Sequence, residues 1–473
     1  MKLSRISKLL IDAGQATADE AKARREDFAV TLRCGADVAQ SRTLQIAVLT
    51  AAGIAARCFP GAVTVVLDPC LSHHRIALRA LAEESFTASL ASLLGPQNLR
   101  FSKAPAVAGK VLLFGDLTPQ VGALRVTYDG WLAQVGPSAS TPRLAERPLC
   151  ALAGVLAGSL ALSEIFLAFA ELNIAATRRL VGLSLWRPDL PLTDPEAQGP
   201  QVEVLPRELW LLGLGHLGNA YLWCLAALPY LEPEKVELYL NDFDKVESEN
   251  SETGLLFARE DEGAYKTRVC STWLEARGFE TRLIERPFGC DFRCRPDEPR
   301  LAFCGFDSNP ARRLLPGANF ARVIESGLGG TRHNFDTIRF HTLPNPRPAV
   351  EIWPDQSQEE QERQAQEHER TARENPAYAD LAEDICGRAA LAGKSVAVPF
   401  VGVTAATLVV AEALRMLHDG PAYSDITFSL SDPSSVYAIR NGNYVVQDAA
   451  EMSFCDAEIE AAELIALAAR AEE

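Results

Sequence analysis

Three glycines at one spacing offer the first chemistry in this chain. Gly213, Gly215 and Gly218 fall in GLGHLG, directly after the apolar run ELWLL. A buried strand that breaks into such a turn and then a helix offers free backbone N–H groups and close approach to a phosphate. A second apolar run, VELYL, leads into NDFD. Asp242 then stands where a carboxylate accepts a ribose hydroxyl, with Asp244 close behind. Read alone, this pattern points to a dinucleotide, yet no companion His or Lys base for hydride transfer is evident. Asn250, Lys266, Asp307 in CGFDSN and Cys386 in AEDICGRAALAGKS are further polar or nucleophilic candidates downstream.

Positioning these residues requires alternating strands and helices. Residues 208–214 predict a strand followed by an Ala/Leu-rich helix, and 236–241 a second strand. Residues 301–305 predict a strand ending at Asp307, 322–325 another, and 398–417 a long apolar helix. Such β/α order implies an α/β fold, a doubly wound, Rossmann-like parallel sheet with ligands at the carboxyl ends of its strands.

The first half repeats the order. Residues 44–49 (LQIAVL) precede Gly53, 62–67 (AVTVVL) end at Asp68, and 111–114 (VLLF) end at Gly115 and Asp116. RVTYDG at 125–130 matches RVIESG at 322–327, and the helix at 152–167 matches 400–415, with Gly154/Gly402 and Glu164/Glu412 in register. This predicts an internal duplication, two Rossmann-like domains in tandem. The first copy has TAAGIAA in place of GLGHLG and lacks counterparts of Asn250 and Lys266, so it reads as the inactive partner. The expected divisions are 1–188, a proline-bearing linker at 189–206, an active domain at 207–440 and a tail at 441–473. A charged crossover insertion, about 353–397, carries Cys386. In the tail, Ile459, Leu464 and Leu467 recur at helical spacing, as in a packing or docking helix.

Bulk properties exclude several classes. A net charge of -16 disfavours nucleic acid as the main partner. The apolar stretch at 149–169 contains Glu164 and is rich in Ala and Gly, which suits an interior helix better than a membrane span. Eleven cysteines without a CxxC pair argue for reduced thiols, hence a cytoplasmic location, and against a four-cysteine zinc site.

Taken together, GLGHLG, NDFDKVESEN, Lys266 and CGFDSN resemble the ubiquitin-activating enzyme family. That family includes the bacterial adenylyltransferases of sulfur-carrier proteins, the ThiF and MoeB type. The resemblance is close over 208–417 and looser in the first half. It implies ATP rather than a dinucleotide, with Mg²⁺ as the metal. It places phosphate on Gly213, Gly215 and Gly218, ribose on Asp242 with Asp244 beside it, phosphate oxygens on Asn250 and Lys266, and Mg²⁺ on Asp307. It also implies an Arg donated by the N-terminal segment of the partner domain, for which Arg24 or Arg25 in AKARREDF is the candidate. In the conjugation branch a crossover Cys takes the acyl group as a thioester, here Cys386. One departure is visible: where the family usually has N-L-x-R-Q, this chain has Asn250-Ser251-Glu252-Thr253-Gly254, so Thr253 replaces the Arg.

The expected function is therefore acyl-adenylation of a ubiquitin-like protein, thioester transfer to Cys386, and delivery to a conjugating enzyme. The two halves would pack as an intrachain pseudo-dimer, with a homodimer also open. Two rivals stand beside it: an adenylyltransferase for a sulfur carrier or peptide without thioester, and a non-catalytic scaffold. Asp307 also suits a helix N-cap, Lys266 a surface lysine, and Cys386 a plain loop cysteine.

Overall fold

The computed structural model describes residues 3–61, 63–73, 85–102, 109–379, 381–382, 384–444 and 451–455. The predicted tail helix at 456–473 lies outside the described residues. The first half contains α1 (Lys8–Asp12), α2 (Ala18–Asp27), β1 (Val30–Cys34), α3 (Arg42–Cys58), β2 (Val63–Leu67), α4 (Phe86–Leu94), β3 (Leu99–Phe101), β4 (Lys110–Phe114), β5 (Ala123–Asp129), β6 (Leu132–Pro137), α5 (Leu152–Phe169) and β7 (Val181–Ser184). The second contains β8 (Val204–Pro206), β9 (Glu208–Leu212), α6 (His216–Ala226), β10 (Glu237–Asn241), α7 (Asn250–Thr253), α8 (Lys266–Glu275), β11 (Glu280–Ile284), β12 (Leu301–Cys304), α9 (Asn309–Arg313), β13 (Arg322–Leu328) and β14 (Thr337–Leu343). It continues through α10 (Ala349–Ile352), α11 (Gln358–Glu374), α12 (Ile385–Gly393), α13 (Pro399–Leu417), β15 (Pro421–Ser429), β16 (Asp432–Asn443) and β17 (Met452–Phe454).

Apolar runs such as VTVVL and ELWLL are largely buried, as parallel strands covered on both faces must be. They assemble two sheets of the same plan. The first has strand order β3-β2-β1-β4-β5-β6-β7, and the second β11-β10-β9-β12-β13-β14-β15-β16. Matched one to one, the two orders coincide through seven strands. In each sheet the first five strands are parallel and the next pairings antiparallel. The short β8 pairs with β17 in a separate ribbon.

One expected strand is a helix. Residues 44–49 belong to α3, a helix of seventeen residues, because the mainly apolar stretch continues well past strand length and starts on a helix cap. Ser41 Oγ accepts from Leu44 N at 3.2 Å. The first strand is instead VTLRC, and the topological counterpart of Gly213 is Gly35, not Gly53.

The long helices α3, α5, α6 and α13 pack together between the halves. Gly154 and Gly158 let α5 close on α3, since a Cβ on either would meet the Thr43 or Ala47 carbonyl oxygen. Ser159 Oγ donates to Phe400 O at 2.8 Å and lies 2.9 Å from Thr404 Oγ1, and Trp223 Nε1 reaches Thr50 Oγ1 at 3.0 Å. Among the described residues two helices are long and apolar enough to cross a membrane, but Leu152–Phe169 and Pro399–Leu417 are 94% and 100% buried inside the protein. The in-register acids repeat one job. Glu164 accepts from Thr177 N at 2.7 Å ahead of β7, and Glu412 accepts from Tyr423 N at 3.0 Å in β15.

Candidate functional site

The carboxyl ends of β9, β10 and β12 open onto a cleft of about 1470 Å³. Gly213 leaves β9 with φ +83°, a conformation that glycine adopts without strain. Its N–H donates to Asn241 O at 2.8 Å, fixing the turn against β10. A Cβ on Gly218 would strike the Gly213 carbonyl, whereas nothing lies within 4 Å of the Cβ position on Gly215. The turn is therefore tight behind and open in front, which fits a group that approaches the backbone closely. Asn219, fully buried, donates to Leu214 O at 2.9 Å and accepts from Leu256 N at 3.0 Å, tying the turn to the segment after α7.

Asp242 braces the same turn. Its Oδ2 accepts from Leu214 N at 2.7 Å and its Oδ1 from Asp244 N at 2.8 Å. Burial pushes its carboxyl above the usual carboxylate range, opposed by the Lys266 charge and the two backbone donors. Each oxygen keeps a lone pair for a further donor. Lys266 opens α8 and is 9% exposed, with Nζ 3.0 Å from Asp244 Oδ2. Asn250 opens α7, where Oδ1 accepts from Glu247 N at 2.9 Å. Asp307 is exposed after β12, and the Ser308 side chain rather than Asp307 caps α9. Gly213, Gly215, Asp242, Asp244, Asn250, Lys266 and Asp307 line one cleft together with Thr253, whereas Gly218 lies behind the turn and does not.

Arg25 is not among the lining residues. It is 4% exposed and donates to Cys58 O at 2.9 Å, Arg57 O at 2.6 Å, Ser4 Oγ at 2.8 Å and Ser7 Oγ at 3.0 Å. Its guanidinium is consumed by those acceptors, and Arg24 instead lies over the Phe169 ring. The N-terminal residue that does reach the cleft is Arg5, held by Ser395 O at 2.9 Å, Ser395 Oγ at 2.7 Å and, at 3.8 Å, Glu249. No motif surrounds it in the sequence, although it is the first arginine of the chain.

His216 also lines the cleft, packed so closely that a Cβ on Gly402 would collide with its ring. Burial, and then the Arg5 charge, pull its pKa down to about 4. Cys386 is exposed in the first turn of α12, whose cap is Asp384 accepting from Gly387 N at 2.7 Å. It does not line the cleft, although Arg363, Gln364, Glu367 and residues 395–397 of the same insertion do. The neighbouring cations are engaged elsewhere, Lys394 with Glu249 and Arg388 with Ala382 O at 2.7 Å. Cys224, Cys270 and Cys304 are buried fillers whose thiols burial pushes up, that of Cys304 to about 12.

No group of three His, Cys, Asp or Glu side chains able to hold a metal ion occurs among the described residues. A hard cation such as Mg²⁺ fits Asp307 only if phosphate and water oxygens complete its shell, which is its usual habit.

In the first half, the equivalent place is filled. Arg143 pairs with Asp37 at 2.5 Å and with Glu146, and Asp37 Oδ1 accepts the Asp116 N–H at 2.8 Å. The Asp37 carboxylate thus takes one backbone donor, the Asp116 N–H after β4, and an arginine at the carboxyl end of the first sheet.

Comparison with known proteins agrees with this two-part organisation. The family model described as the BilD N-terminal domain matches residues 29–185, and that described as the BilD C-terminal domain matches 205–420. The Bacterial E1-like protein BilD of Collimonas sp. (strain OK412) is 35% identical over 432 residues, spanning 90% of this chain and 91% of that protein. Crystal structures of E. coli MccB show a weaker likeness. The complex with MccA-N7isoASN gives a TM-score of 0.34 at 15% identity, covering 50% of this chain and 64% of that chain. The complex with ATP gives 0.33 at 14%, with the same coverage. Scores at that level carry no argument about the site. Over nearly its whole length, this chain belongs to the BilD family of bacterial E1-like proteins.

Proposed function

We propose that this protein activates a ubiquitin-like protein at the expense of ATP. The carrier's C-terminal carboxylate oxygen attacks the α-phosphorus, the bond to the bridging oxygen breaks, and pyrophosphate leaves. The resulting acyl adenylate is then attacked at its carbonyl carbon by the Cys386 thiolate, releasing AMP and leaving a thioester for a conjugating enzyme.

The observation that carries this reading is a single cleft shared by the open glycine turn, Asp242, Asn250, Lys266 and Asp307 in a chain of an E1-like family. The turn would supply backbone N–H groups to the triphosphate. Asp242 would take a ribose hydroxyl on its spare lone pairs, with Asp244 beside it. Lys266 would exchange Asp244 for phosphate, and Asn250 would orient a phosphate oxygen. Arg5 would bring the cation that Thr253 does not. Asp307 would hold Mg²⁺, which supplies charge neutralisation on the departing pyrophosphate. Holding these charges in place before the reaction is the main way a protein lowers such a barrier.

A second reading ends at the acyl adenylate, and the exposed position of Cys386 away from the cleft favours it. One gel separates the two. The protein is incubated with ATP, MgCl₂ and a glycine-terminated ubiquitin-like protein, then run with and without thiol reductant. A reductant-sensitive adduct that disappears in Cys386→Ala supports the thioester route. An adduct that persists in that variant refutes the cysteine assignment, and pyrophosphate exchange without any adduct supports the shorter route.

A further inference from the structure

The helix α7 has four residues, too few to hold itself by its own hydrogen bonds. Yet it forms one wall of the cleft through Asn250 and Thr253. Its support comes from the half that lost its own site. Arg57, at the end of α3, donates from Nε to Gly254 O at 2.6 Å and from one terminal nitrogen to Leu255 O at 2.6 Å. Its other terminal nitrogen reaches Gly53 O at 3.0 Å, inside α3. One planar guanidinium thus bridges three backbone carbonyls, a geometry a lysine cannot reproduce. Behind it, Arg25 donates to the carbonyls of Arg57 and Cys58 and to the hydroxyls of Ser4 and Ser7. Ser4 Oγ passes the link on, donating to Glu252 Oε2 in α7 at 2.5 Å.

Both cations are costly to place here. Burial lowers the pKa of Arg57 to about 10 and lowers that of Arg25 against the opposing pull of Glu252. A desolvated guanidinium is tolerated only with its acceptors in place. Neither arginine lines the cleft, so neither contacts a ligand there.

We infer that Arg57 and Arg25 are positioning residues through which the degenerate half sets α7, and with it Asn250 and Thr253, against the cleft. The consequence for nucleotide affinity rests on the function proposed above, whereas the support of α7 does not. Amide hydrogen exchange on the full chain tests the support. In Arg57→Met, the amides of Gly254 and Leu256 are expected to exchange at least about tenfold faster, with β9 and α13 unchanged. Arg57→Lys should fall between, because an ammonium can serve only part of the carbonyl set. Glu252→Gln, which leaves the core untouched, should release the same segment to a smaller degree. Calorimetry with ATP and MgCl₂ should show affinity about tenfold weaker in Arg57→Met. Unchanged protection at 250–257, or protection lost evenly across the chain, overturns the inference. If the exchange pattern holds but wild-type protein binds no ATP, the support of α7 stands and the nucleotide reading of the cleft falls. If ATP binds and protection is unchanged, the reverse follows.

Discussion

At the scale of the residue, two arginines of the N-terminal segment divide between structure and site. Arg25 has four acceptors and almost no exposure, so Arg25→Met should cost about 2–4 kcal/mol of stability, read by denaturant unfolding. Arg5 faces the cleft, so Arg5→Ala should slow pyrophosphate exchange about tenfold with little change in the unfolding midpoint. The opposite pairing of effects would reverse the two assignments. His216 gives a pH signature. Folded, it titrates near 4, and its ordinary value is 6.5, so between these values the unfolded chain binds more protons. Its contribution to stability is complete above 6.5 and declines as pH falls towards about 4. His216→Gln should flatten that part of the stability curve, and an unchanged slope would place the acid sensitivity elsewhere. At this scale the residues with a motif around them are the ones brought together: Gly213, Gly215, Asp242, Lys266 and Asp307 line one cleft, with Gly218 packed behind the turn. Arg5 and Arg57 stayed hidden because their meaning comes from contacts across the two halves, up to 390 residues apart in the chain.

At the scale of the element, the glycine turn and α7 govern the site. The turn needs no Cβ on Gly218, where a methyl group would meet the Gly213 carbonyl. Gly218→Ala should therefore destabilise the protein by about 1–3 kcal/mol and abolish nucleotide binding together. Wild-type affinity in that variant would contradict the role of the turn. Parallel strands were readable because continuous apolar runs of strand length stopped at glycine or aspartate. The run at 44–49 misled because its six residues suit a strand in isolation, and only the continuation to Cys58 and the Ser41 cap mark it as α3. The error is confined to the first strand and its glycine, whose counterpart of Gly213 by sheet order is Gly35, while β2 and β4 keep their expected partners β10 and β12. The matched pairs β5/β13 and α5/α13 survived because Glu164 and Glu412 do the same local work.

At the scale of the whole molecule, the chain is a duplicated fold in which one copy carries the open site and the other supports it. In the first copy, Asp37 sits at the carboxyl end of the sheet, paired with Arg143 and holding the Asp116 N–H, so it presents a carboxylate where the second copy is open. Titration should therefore give one nucleotide per chain, and two equivalent sites would refute the closed first copy. The apolar faces of α5 and α13, long enough to invite a membrane reading, are spent on joining the copies. The proposed activity of the second-half cleft is adenylation of a carboxylate. ATP–pyrophosphate exchange measures this reversible step directly, with the full chain, MgCl₂ and a glycine-terminated ubiquitin-like protein. Wild-type protein should exchange label into ATP only when that partner is present, and Lys266→Ala and Asp307→Ala should lose about 100-fold or more. Absence of exchange in the wild type, or full exchange in both variants, would contradict the account.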